Sequence, residues 1–353
     1  MATKFIDLRS DTVTLPTPAM REAMYRAELG DDVYGEDPQV NRLEEMAAER
    51  MGKEAAVLLT SGTQGNLVGV LSHCQRGDEV IVGDQAHIFH YEVGGLAAIG
   101  GLMARTVPGR LGYPDPKDVE AAVRPKDIHC PETTLIALEN THNRAGGTVI
   151  TPQQTKAMAD LAKKYGIRLH IDGARIFNAA VALGVDVKRL AGPADSVTFC
   201  LSKGLSCPVG SVIVGSHDFI ERARRMRKIL GGGMRQAGII AAPGIVALEK
   251  MIDRLRDDHA NARRLAEGLL KIQGISVNME TVQTNIVYLD VAGTGATSNE
   301  FSALAEERGV KSLPTAETVI RMVTHYGIEK NDIDYALQVI NEVAEHIRGK
   351  RVR

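Results

Sequence analysis

A chain of 353 residues exceeds what one ordinary hydrophobic core needs, and it predicts a large domain accompanied by a smaller one. Lys and Arg number 42 against 44 Asp and Glu, so there is no basic footprint that would indicate a nucleic acid or an anionic membrane as partner. Tryptophan is absent and aromatic residues make up 4%, which argues against an aromatic stacking surface for RNA, whereas 35 glycines are typical of an α/β protein with many tight turns.

The start of the chain and its cysteines indicate the cellular setting. The opening residues, MATKFIDLRSDTVT, contain no apolar stretch long enough for a signal peptide, which predicts a soluble cytoplasmic protein. The cysteines show no CxxC spacing and no clustered histidines, so neither a zinc site nor a disulfide framework is indicated; they are Cys74, Cys130, Cys200 and Cys207. We therefore expect a small molecule or another subunit as partner, and no metal.

Short apolar and β-branched runs alternate with helical stretches through the first two thirds of the chain. The predicted strands are 55–60, 79–84, 101–107, 134–140, 168–172, 196–201 and 209–215. This alternation is typical of a parallel sheet covered by helices on both faces. Between two of these strands, Thr151 and Pro152 mark the start of a helix predicted to run to Tyr165.

The pattern changes in the last third of the chain. Residues 245–272 predict one long amphipathic helix, with Leu248, Met251, Ile252 and Leu255 on one side. Beyond it, predicted strands at 275–279, 285–291 and 319–323 alternate with helices at 299–308 and 332–347, which indicates a small α+β domain. The predicted division is an N-terminal arm (1–17), a large α/β domain (18–245), a connecting helix (246–272) and a small domain (273–353).

The first motif with chemical meaning is LLTSGTQGN, residues 58–66. A strand meets Ser61, Gly62 and Thr63, and a helix opens directly afterwards. Free backbone N–H groups and the dipole at a helix N-terminus favour an anion, so the motif predicts a phosphate site. A hydroxyl that caps the helix and does nothing more is an equally good interpretation of this motif alone.

Three further positions follow predicted strands. His87 comes after strand 79–84 and could stack on a ring, although a single histidine is more often an ordinary loop residue. Asp172 ends strand 168–172 and needs a cation, because an unpaired buried charge costs several kcal/mol. Arg175 could be that cation in a simple salt bridge, or Asp172 could hold a protonated pyridine nitrogen while Arg175 faces a substrate carboxylate.

Lys203, in CLSKGL, follows the next strand and completes the set. It lies one helix and one strand beyond Asp172, so both side chains would reach the carboxyl edge of the sheet, where open α/β sheets bind ligands. A phosphate site, a carboxylate for a pyridine nitrogen and a lysine for a Schiff base together indicate pyridoxal 5′-phosphate (PLP). The motifs GxGxxG, GxxxxGK[ST], GxSxG and HExxH are all missing, which removes the strongest sequence support for other cofactor and hydrolase chemistries.

Eight motifs spread over nearly the whole chain resemble those of L-threonine aldolases. They are LRSDTVT (8–14), GDDVYGEDP (30–38), SGTQGN (61–66), ENTHNRAGG (139–147), HIDGARIFNA (170–179), CLSKGL (200–205), GGGMRQAG (231–238) and RMVTHYG (321–327). The chain is similar to the low-specificity and L-allo-threonine branch of these enzymes. The resemblance implies the PLP-dependent aspartate aminotransferase fold (fold type I), with a large, mostly parallel sheet domain and a small C-terminal α+β domain.

The resemblance also implies roles for individual residues. Lys203 would carry PLP as a Schiff base, Asp172 would pair with its ring nitrogen, and His87 would stack on the ring. The phosphate would be bound by Ser61, Gly62 and Thr63. Further cofactor contacts would come from Arg175, Lys228 and Arg235, and substrate contacts from Ser10, Tyr34, Tyr91, His142, Arg175 and Arg321.

The implied reaction cleaves L-threonine, L-allo-threonine and other β-hydroxy-α-amino acids to glycine and an aldehyde such as acetaldehyde. The implied assembly is a homotetramer, a dimer of dimers, whose active sites are shared between subunits. Tyr34, Lys228 and Arg235 match positions that family members contribute across the subunit boundary. The base for the β-hydroxyl is His87 or His142, and the residues do not choose between them. A β-eliminating lyase or an aminotransferase of the same fold is the nearest alternative, and a non-catalytic binding protein of this fold is a more distant one.

Overall fold

The computed structural model describes residues 5–351, so the ends of the predicted arm and of the predicted small domain, residues 1–4 and 352–353, lie outside the described residues. The strands in chain order are β1 (Ile6–Asp7), β2 (Ala55–Leu59), β3 (Glu79–Gly83), β4 (Met103–Val107), β5 (Gly109–Arg110), β6 (Tyr113–Pro114), β7 (Thr133–Glu139), β8 (Arg168–Asp172), β9 (Ser196–Cys200), β10 (Ser211–Gly215), β11 (Ile286–Asp290), β12 (Val310–Lys311), β13 (Leu313–Pro314) and β14 (Val319–Val323).

Helices cover the sheet, and the described residues also form four short 3-10 turns. The helices are α1 (Pro18–Tyr25), α2 (Pro38–Met51), α3 (Gly62–His73), α4 (His87–His90), α5 (Gly95–Ala98), α6 (Pro116–Ala122), α7 (Pro152–Tyr165), α8 (Ile176–Leu183), α9 (Lys188–Ala191), α10 (His217–Ile229), α11 (Gly238–Lys250), α12 (Leu255–Leu269), α13 (Ser298–Glu306) and α14 (Lys330–Arg351). Of the described residues, none belongs to a helix with the length and apolarity that a membrane span requires.

The large sheet has seven strands in the order β2-β10-β9-β8-β7-β3-β4. All seven were predicted from the sequence, and their bounds agree to within two residues. Strands β4, β3, β7, β8 and β9 are parallel, but β10 runs antiparallel to both of its neighbours, β9 and β2. The prediction of a mostly parallel sheet is confirmed. A short return after CLSKGL, where Gly210 has φ +104°, sends β10 back along β9.

This arrangement brings the motif residues to one edge of the sheet. The parallel strands β3, β7, β8 and β9 all end at the same edge, and the chain leaves them directly before His87, at Glu139, at Asp172 and before Lys203. Strand register places Glu139 opposite Asp172 and Asp172 opposite Thr198. The fold therefore gathers residues that are far apart in sequence at the carboxyl edge.

Helix α3 lies unusually close to the sheet because one face of it carries glycines. A methyl group at Gly62 would lie 2.8 Å from Cys200 Sγ, and one at Gly65 would lie 2.4 Å from Thr198 Cγ2. The Ser61 hydroxyl caps the helix by accepting a hydrogen bond from the Gln64 N–H at 3.1 Å. The N-terminus of α3 is thus held directly against β9, one strand away from Asp172.

The predicted long helix at 245–272 is wrong. The chain forms α11 and α12, with a non-helical turn at 251–254 that contains neither glycine nor proline. Leu248, Met251 and Leu255 pack into the first and larger hydrophobic core, whereas Leu265 and Leu269 pack into the second core. The helix breaks because its apolar face must turn from one core to the other, and the periodicity of the sequence does not record that change of direction.

The second core is built on a three-stranded antiparallel sheet in the order β11-β14-β13. The predicted strands at 285–291 and 319–323 are confirmed, but the predicted strand at 275–279 is wrong, because Ser276 makes only an isolated bridge to Asp290 and the chain then enters a 3-10 turn. Near the N-terminus, β1 pairs in parallel with β12 and joins the first described residues to this region. The division into four segments and the three boundaries between them stay a prediction.

The close docking of α3 predicts that Gly65→Ala destabilises the protein. The added methyl group would overlap Thr198 Cγ2, and overpacking of this kind costs about 1–3 kcal/mol. Urea unfolding of the variant measures the effect. Gly349→Ala in α14 is the control, because no atom lies within 4 Å of the new methyl group there, and it should leave stability unchanged or raise it by up to about 1 kcal/mol.

Adding Thr198→Ser to Gly65→Ala removes the opposing methyl group and should restore part of the lost stability. If Gly65→Ala and Gly349→Ala have the same effect on unfolding, close approach does not explain the glycine at position 65.

Candidate active site

Asp172 is a buried carboxylate at the end of β8 that makes no salt bridge among the described residues. Its Oδ2 accepts a hydrogen bond from Asn66 Nδ2 at 2.8 Å, and its Oδ1 accepts one from the Ala174 N–H at 3.1 Å. The residue is 4% exposed. Neutral donors therefore orient the carboxylate, while its charge remains available to a cation at the sheet edge.

Arg175 pairs with Asp11 instead of Asp172, so the simple salt bridge considered from the sequence does not form. Arg175 Nε and Nη2 donate to the two oxygens of Asp11 at 2.6 and 2.7 Å, and both side chains are almost fully buried. Burial raises the pKa of Asp11, but the Arg175 guanidinium and the Lys203 ammonium more than offset burial and hold this pKa well below its usual range. Asn285 Nδ2 donates to Asp11 at 3.3 Å as well.

Lys203 lies three residues beyond β9 and is half-buried. Its backbone carbonyl accepts hydrogen bonds from Thr14 Oγ1 at 3.0 Å and from the Ser206 N–H at 2.8 Å, which tie the loop to the N-terminal segment. Ser206 has φ +63°, a left-handed conformation that few non-glycine residues adopt. The positive charge of Lys203 acts on Asp11 and helps to lower its pKa.

His87 opens α4 and is surrounded by three carboxylates. Its Nδ1 lies 3.2 Å from Glu92 Oε1, and its backbone N–H donates to Glu139 Oε2 at 2.7 Å. Burial lowers the pKa of His87, but the hydrogen bond with Glu92 and the negative charges of Asp172 and Glu139 outweigh burial, so this pKa lies above its ordinary value. The ring centroid of Tyr91 lies 5.5 Å from that of His87.

Asn66 connects the neighbourhood of His87 with Asp172. The same amide nitrogen, Nδ2, donates to Glu92 Oε1 at 2.8 Å and to Asp172 Oδ2 at 2.8 Å. Ligand-type atoms of His87, Glu92 and Asp172 all lie within 4.8 Å of one another. Burial raises the pKa of Glu92, and the charge of Asp172 raises it further. The sequence analysis did not single out Asn66 or Glu92.

His142 is the more enclosed of the two histidines. It is 2% exposed, its Nδ1 accepts a hydrogen bond from the Ala145 N–H at 3.2 Å, and its Nε2 lies 3.7 Å from Glu139 Oε2. A methyl group at Gly112 would lie 2.2 Å from its ring, so the imidazole packs directly against that glycine. Both ring nitrogens of His142 therefore face groups of the protein.

Arg321 reaches from β14 towards the segment that follows β7. Its Nη1 donates to Asn143 Oδ1 at 2.9 Å and its Nη2 donates to the Arg9 carbonyl at 3.1 Å, while its Nε is buried with no hydrogen-bond partner among the described residues. Burial, together with the positive charge of Arg175, lowers the pKa of Arg321. The Tyr288 side chain and the Asp11 carboxylate oppose this effect, so the repulsion between the two guanidinium groups is partly offset within the chain, and a bound anion would offset it further.

Other predicted residues lie at the surface of the chain or cap its turns. Ser10 caps a 3-10 turn by accepting a hydrogen bond from the Thr12 N–H at 3.2 Å, and the exposed Tyr91 hydroxyl accepts one from Arg144 Nη1 at 2.9 Å. Tyr34 is 75% exposed and lies beneath the Arg235 guanidinium.

The segment that contains Lys228 and Arg235 contacts Gln64, the residue that follows the predicted phosphate site, within the same chain. Arg235 pairs with Asp31 at 3.1 Å, and Lys228 is exposed in the last turn of α10. Between them, Gly232 packs on the side chain of Gln64, and a methyl group at that glycine would lie 2.4 Å from Gln64 Nε2. The glycine-rich stretch therefore has a packing role within one chain.

Comparison with known proteins gives one family. The β-eliminating lyase family model matches residues 7–292. Low-specificity L-threonine aldolase 1 from Arabidopsis thaliana is 49% identical over 347 residues, which cover 97% of this chain and 97% of that protein. Threonine aldolase from Leishmania major superimposes with a TM-score of 0.83 at 19% identity, covering 96% of this chain and 99% of the other. Serine palmitoyltransferase with PLP gives a TM-score of 0.76 at 18% identity, covering 97% and 88%.

The buried Asp11–Arg175 pair predicts a large loss of stability in Asp11→Asn. This change leaves a buried guanidinium without its counter-charge, which costs about 3–5 kcal/mol. Asp7→Asn is the control, because Asp7 pairs with the exposed Arg9 and a pair of that kind contributes at most about 1 kcal/mol. Urea unfolding at pH 7 measures both variants, and equal losses would contradict the assignment.

The pKa of Asp11 determines how its contribution to the free energy of unfolding depends on pH. Because the folded pKa of Asp11 is depressed, its contribution is fully present above the unfolded pKa, about 3.9, and is lost as the pH falls through the lower folded value. The stability gap between wild type and Asp11→Asn should therefore persist at neutral pH and narrow only in strongly acidic solution.

Proposed function

The chain belongs to the β-eliminating lyase family, among the low-specificity L-threonine aldolases, and on that premise we propose that it is a PLP-dependent aldolase that cleaves L-threonine and L-allo-threonine to glycine and acetaldehyde. The main structural support for this proposal is the buried Asp172 carboxylate, which is oriented by Asn66 and makes no salt bridge within the described chain. A protonated pyridine nitrogen is the kind of cation that this carboxylate fits.

The residues at the start of α3 also fit the phosphate group of PLP. The first amides of a helix have no acceptor inside the helix, and the Ser61 hydroxyl takes only that of Gln64. The N–H groups of Gly62 and Thr63 therefore remain for a phosphate, which the dipole of α3 favours. We assign Lys203 as the residue that binds the cofactor covalently, since it is half-buried at the same edge of the sheet.

Arg175 and Arg321 are proposed to bind the α-carboxylate of the substrate. Asp11 occupies Nε and Nη2 of Arg175 and leaves Nη1, while Arg321 has a buried Nε without a partner among the described residues. When bound, PLP supplies the electron sink for cleavage of a bond at Cα. Two arginines that hold the carboxylate fix the rotation about Cα, so that the Cα–Cβ bond is the one aligned for cleavage.

The contacts favour His87 over His142 as the group that accepts the proton of the β-hydroxyl. The hydrogen bond with Glu92 places the proton of neutral His87 on Nδ1 and leaves Nε2 as a free acceptor. In His142, Nδ1 accepts from Ala145 and the Nε2 proton faces Glu139, so neither nitrogen is ready to take up a proton. We propose that His142 instead shapes the space around the hydroxyl group.

A homotetramer with shared active sites and a cytoplasmic location complete the proposal. Tyr34 is 75% exposed, Lys228 is exposed, and Arg235 is exposed beside Asp31 and Tyr34. Large aromatic and arginine side chains that project from a surface are typical of subunit interfaces. These features support a role for the three residues in a neighbouring subunit.

Lys203→Ala should abolish turnover while the protein stays folded, because the Lys203 side chain makes no hydrogen bond or salt bridge with any described residue, and the loop is held through its backbone carbonyl. The measurement is glycine and acetaldehyde formed from L-threonine and from L-allo-threonine, without added keto acid or folate. Stoichiometric glycine and aldehyde distinguish an aldolase from an aminotransferase or an eliminating lyase. Borohydride reduction followed by peptide mapping tests the site, and a pyridoxyl group on another lysine would show that Lys203 is misassigned.

Replacement of His87 and replacement of His142 should have different effects on activity and on PLP binding. His87→Asn is expected to weaken PLP binding and to lower the rate by about 10²–10⁴-fold. His142→Asn should alter the ratio of rates on the two diastereomers and leave PLP affinity nearly unchanged. Each variant is assayed on both substrates, with cofactor affinity measured separately. A diastereomer ratio that changes only in His87→Asn would mean that the roles are reversed.

Activity should be lost when the assembly dissociates to monomers. Sedimentation of the enzyme at assay concentration, in parallel with rate measurements over a dilution series, follows both properties. Tyr34→Ala should lower activity even where the assembly persists, because the proposed role is in the neighbouring site. A monomer with full activity would disprove shared sites.

A further inference from the structure

We propose that Glu92 and Asn66 act as positioning residues, forming a hydrogen-bond chain that fixes the orientation and tautomer of His87 and connects its imidazole to Asp172. The chain runs from His87 Nδ1 to Glu92 Oε1 (3.2 Å), from there to Asn66 Nδ2 (2.8 Å) and on to Asp172 Oδ2 (2.8 Å). This hypothesis rests on the proposed function, in which His87 takes up a proton.

Burial makes this chain of contacts specific. Glu92 is 6% exposed, Asn66 2% and Asp172 4%, so the polar atoms cannot exchange their partners for bulk solvent. The two hydrogens of the Asn66 amide go to two different carboxylates, which holds these carboxylates side by side despite their repulsion. Aspartate at position 66 would add a third negative charge and provide no donor for this purpose.

The contact with Glu92 decides which nitrogen of His87 is available. A carboxylate is an acceptor, so neutral His87 donates from Nδ1 and keeps the lone pair on Nε2. The Glu139 carboxylate fixes the backbone of His87 by accepting its N–H at 2.7 Å. Glu92 therefore does for His87 what an orienting carboxylate does for a catalytic histidine in general, which is to set the tautomer and stabilise the imidazolium after proton uptake.

The charged groups around His87 determine how strongly its imidazole holds a proton. The titratable groups that face it are Glu92, Asp172 and Glu139, together with the ring of Tyr91. The three carboxylates raise the pKa of His87 against the opposing effect of burial. His170, two residues before Asp172 on the same strand, contributes no charge, because burial lowers its pKa to about 4.

A cation next to Asp172 should consequently change the proton affinity of His87. Protonated pyridine nitrogen would cancel part of the negative charge that holds a proton on the imidazole. Cofactor binding would then favour the neutral imidazole, the form that can act as a base. The Asp172 carboxylate would thus bind the pyridine nitrogen of the cofactor and also influence the pKa of His87.

The test uses Glu92→Gln, which keeps the size and the hydrogen-bonding oxygen of the side chain and removes the charge. In the cofactor-free full-length chain, diethyl pyrocarbonate modifies neutral imidazoles, and peptide mass spectrometry distinguishes His87 from His90. The midpoint of His87 modification against pH should shift to lower pH in Glu92→Gln. Asp172→Asn should shift it in the same direction.

In the loaded enzyme, the acidic limb of the pH profile of kcat/KM should move to lower pH in Glu92→Gln. At the plateau, kcat should fall by up to about 10²-fold through misorientation of His87, with little change in the KM for L-threonine. Glu92→Asp keeps the charge and should keep the midpoint closer to wild type than Glu92→Gln does. A purely structural role for Glu92 would not move the His87 midpoint.

Glu79→Gln is the matched control. Glu79 is a buried glutamate at the start of β3, away from the carboxyl edge, and it pairs with Arg124 at 3.1 Å. Its replacement should leave both pH profiles unchanged. The inference is overturned if Glu92→Gln has the wild-type midpoint and acidic limb, or if Glu79→Gln shifts them equally. The modification experiment needs no turnover, so its outcome separates failure of this inference from failure of the proposed aldolase activity.

Discussion

The ion pair between Asp11 and Arg175 is the contact on which the assembly of the site depends. A guanidinium as buried as that of Arg175 requires a counter-charge, and the chain supplies it from a residue 164 positions away. Asn285, next to β11, donates to the same carboxylate. One buried aspartate therefore joins the N-terminal segment, the large sheet and the second core, and the position of Lys203 nearby follows from that junction.

Charge in the site is divided into two halves. The negative charges of Asp172, Glu92 and Glu139 act on His87, whereas the positive charges of Lys203 and Arg175 act on Asp11 and that of Arg175 acts on Arg321. The two groups meet at Glu139, whose charge also acts on Arg175. The acidic half suits a cationic ring and a histidine that takes up a proton, and the basic half suits a carboxylate. Such a division matches the two ends of an amino acid attached to PLP, and it costs stability in the absence of either ligand because like charges are held together.

The sequence predicts the sheet well because apolar runs bounded by turns depend on local pattern, and Asp172 and Lys203 can be recognised because each follows such a run. It fails at 251–254, where a helix breaks between two cores, and at 275–279, where alternation is not matched by a neighbouring strand. Glu92 and Asp11 are missed for a different reason. Their partners lie elsewhere in the chain, and nothing near either residue shows that it will be buried; acidic residues in glycine-flanked or hydroxyl-rich loops are ordinarily exposed.

Helix α3 links the two ends of the proposed cofactor site. Its first amides, at Gly62 and Thr63, are the ones proposed to bind the phosphate, and Asn66, which donates to Asp172, lies about 4.5 Å beyond Thr63 along the helix axis, at 1.5 Å per residue. Because glycine at position 65 lets the helix touch β9, the helix cannot shift on the sheet without losing one of these contacts. The phosphate and the ring nitrogen of PLP are separated by a fixed distance. One rigid helix that carries N–H donors for the phosphate and also orients Asp172 for the ring nitrogen matches this distance better than two independent loops could. In the proposed site, the tight packing of α3 would therefore contribute to cofactor selection as well as to stability.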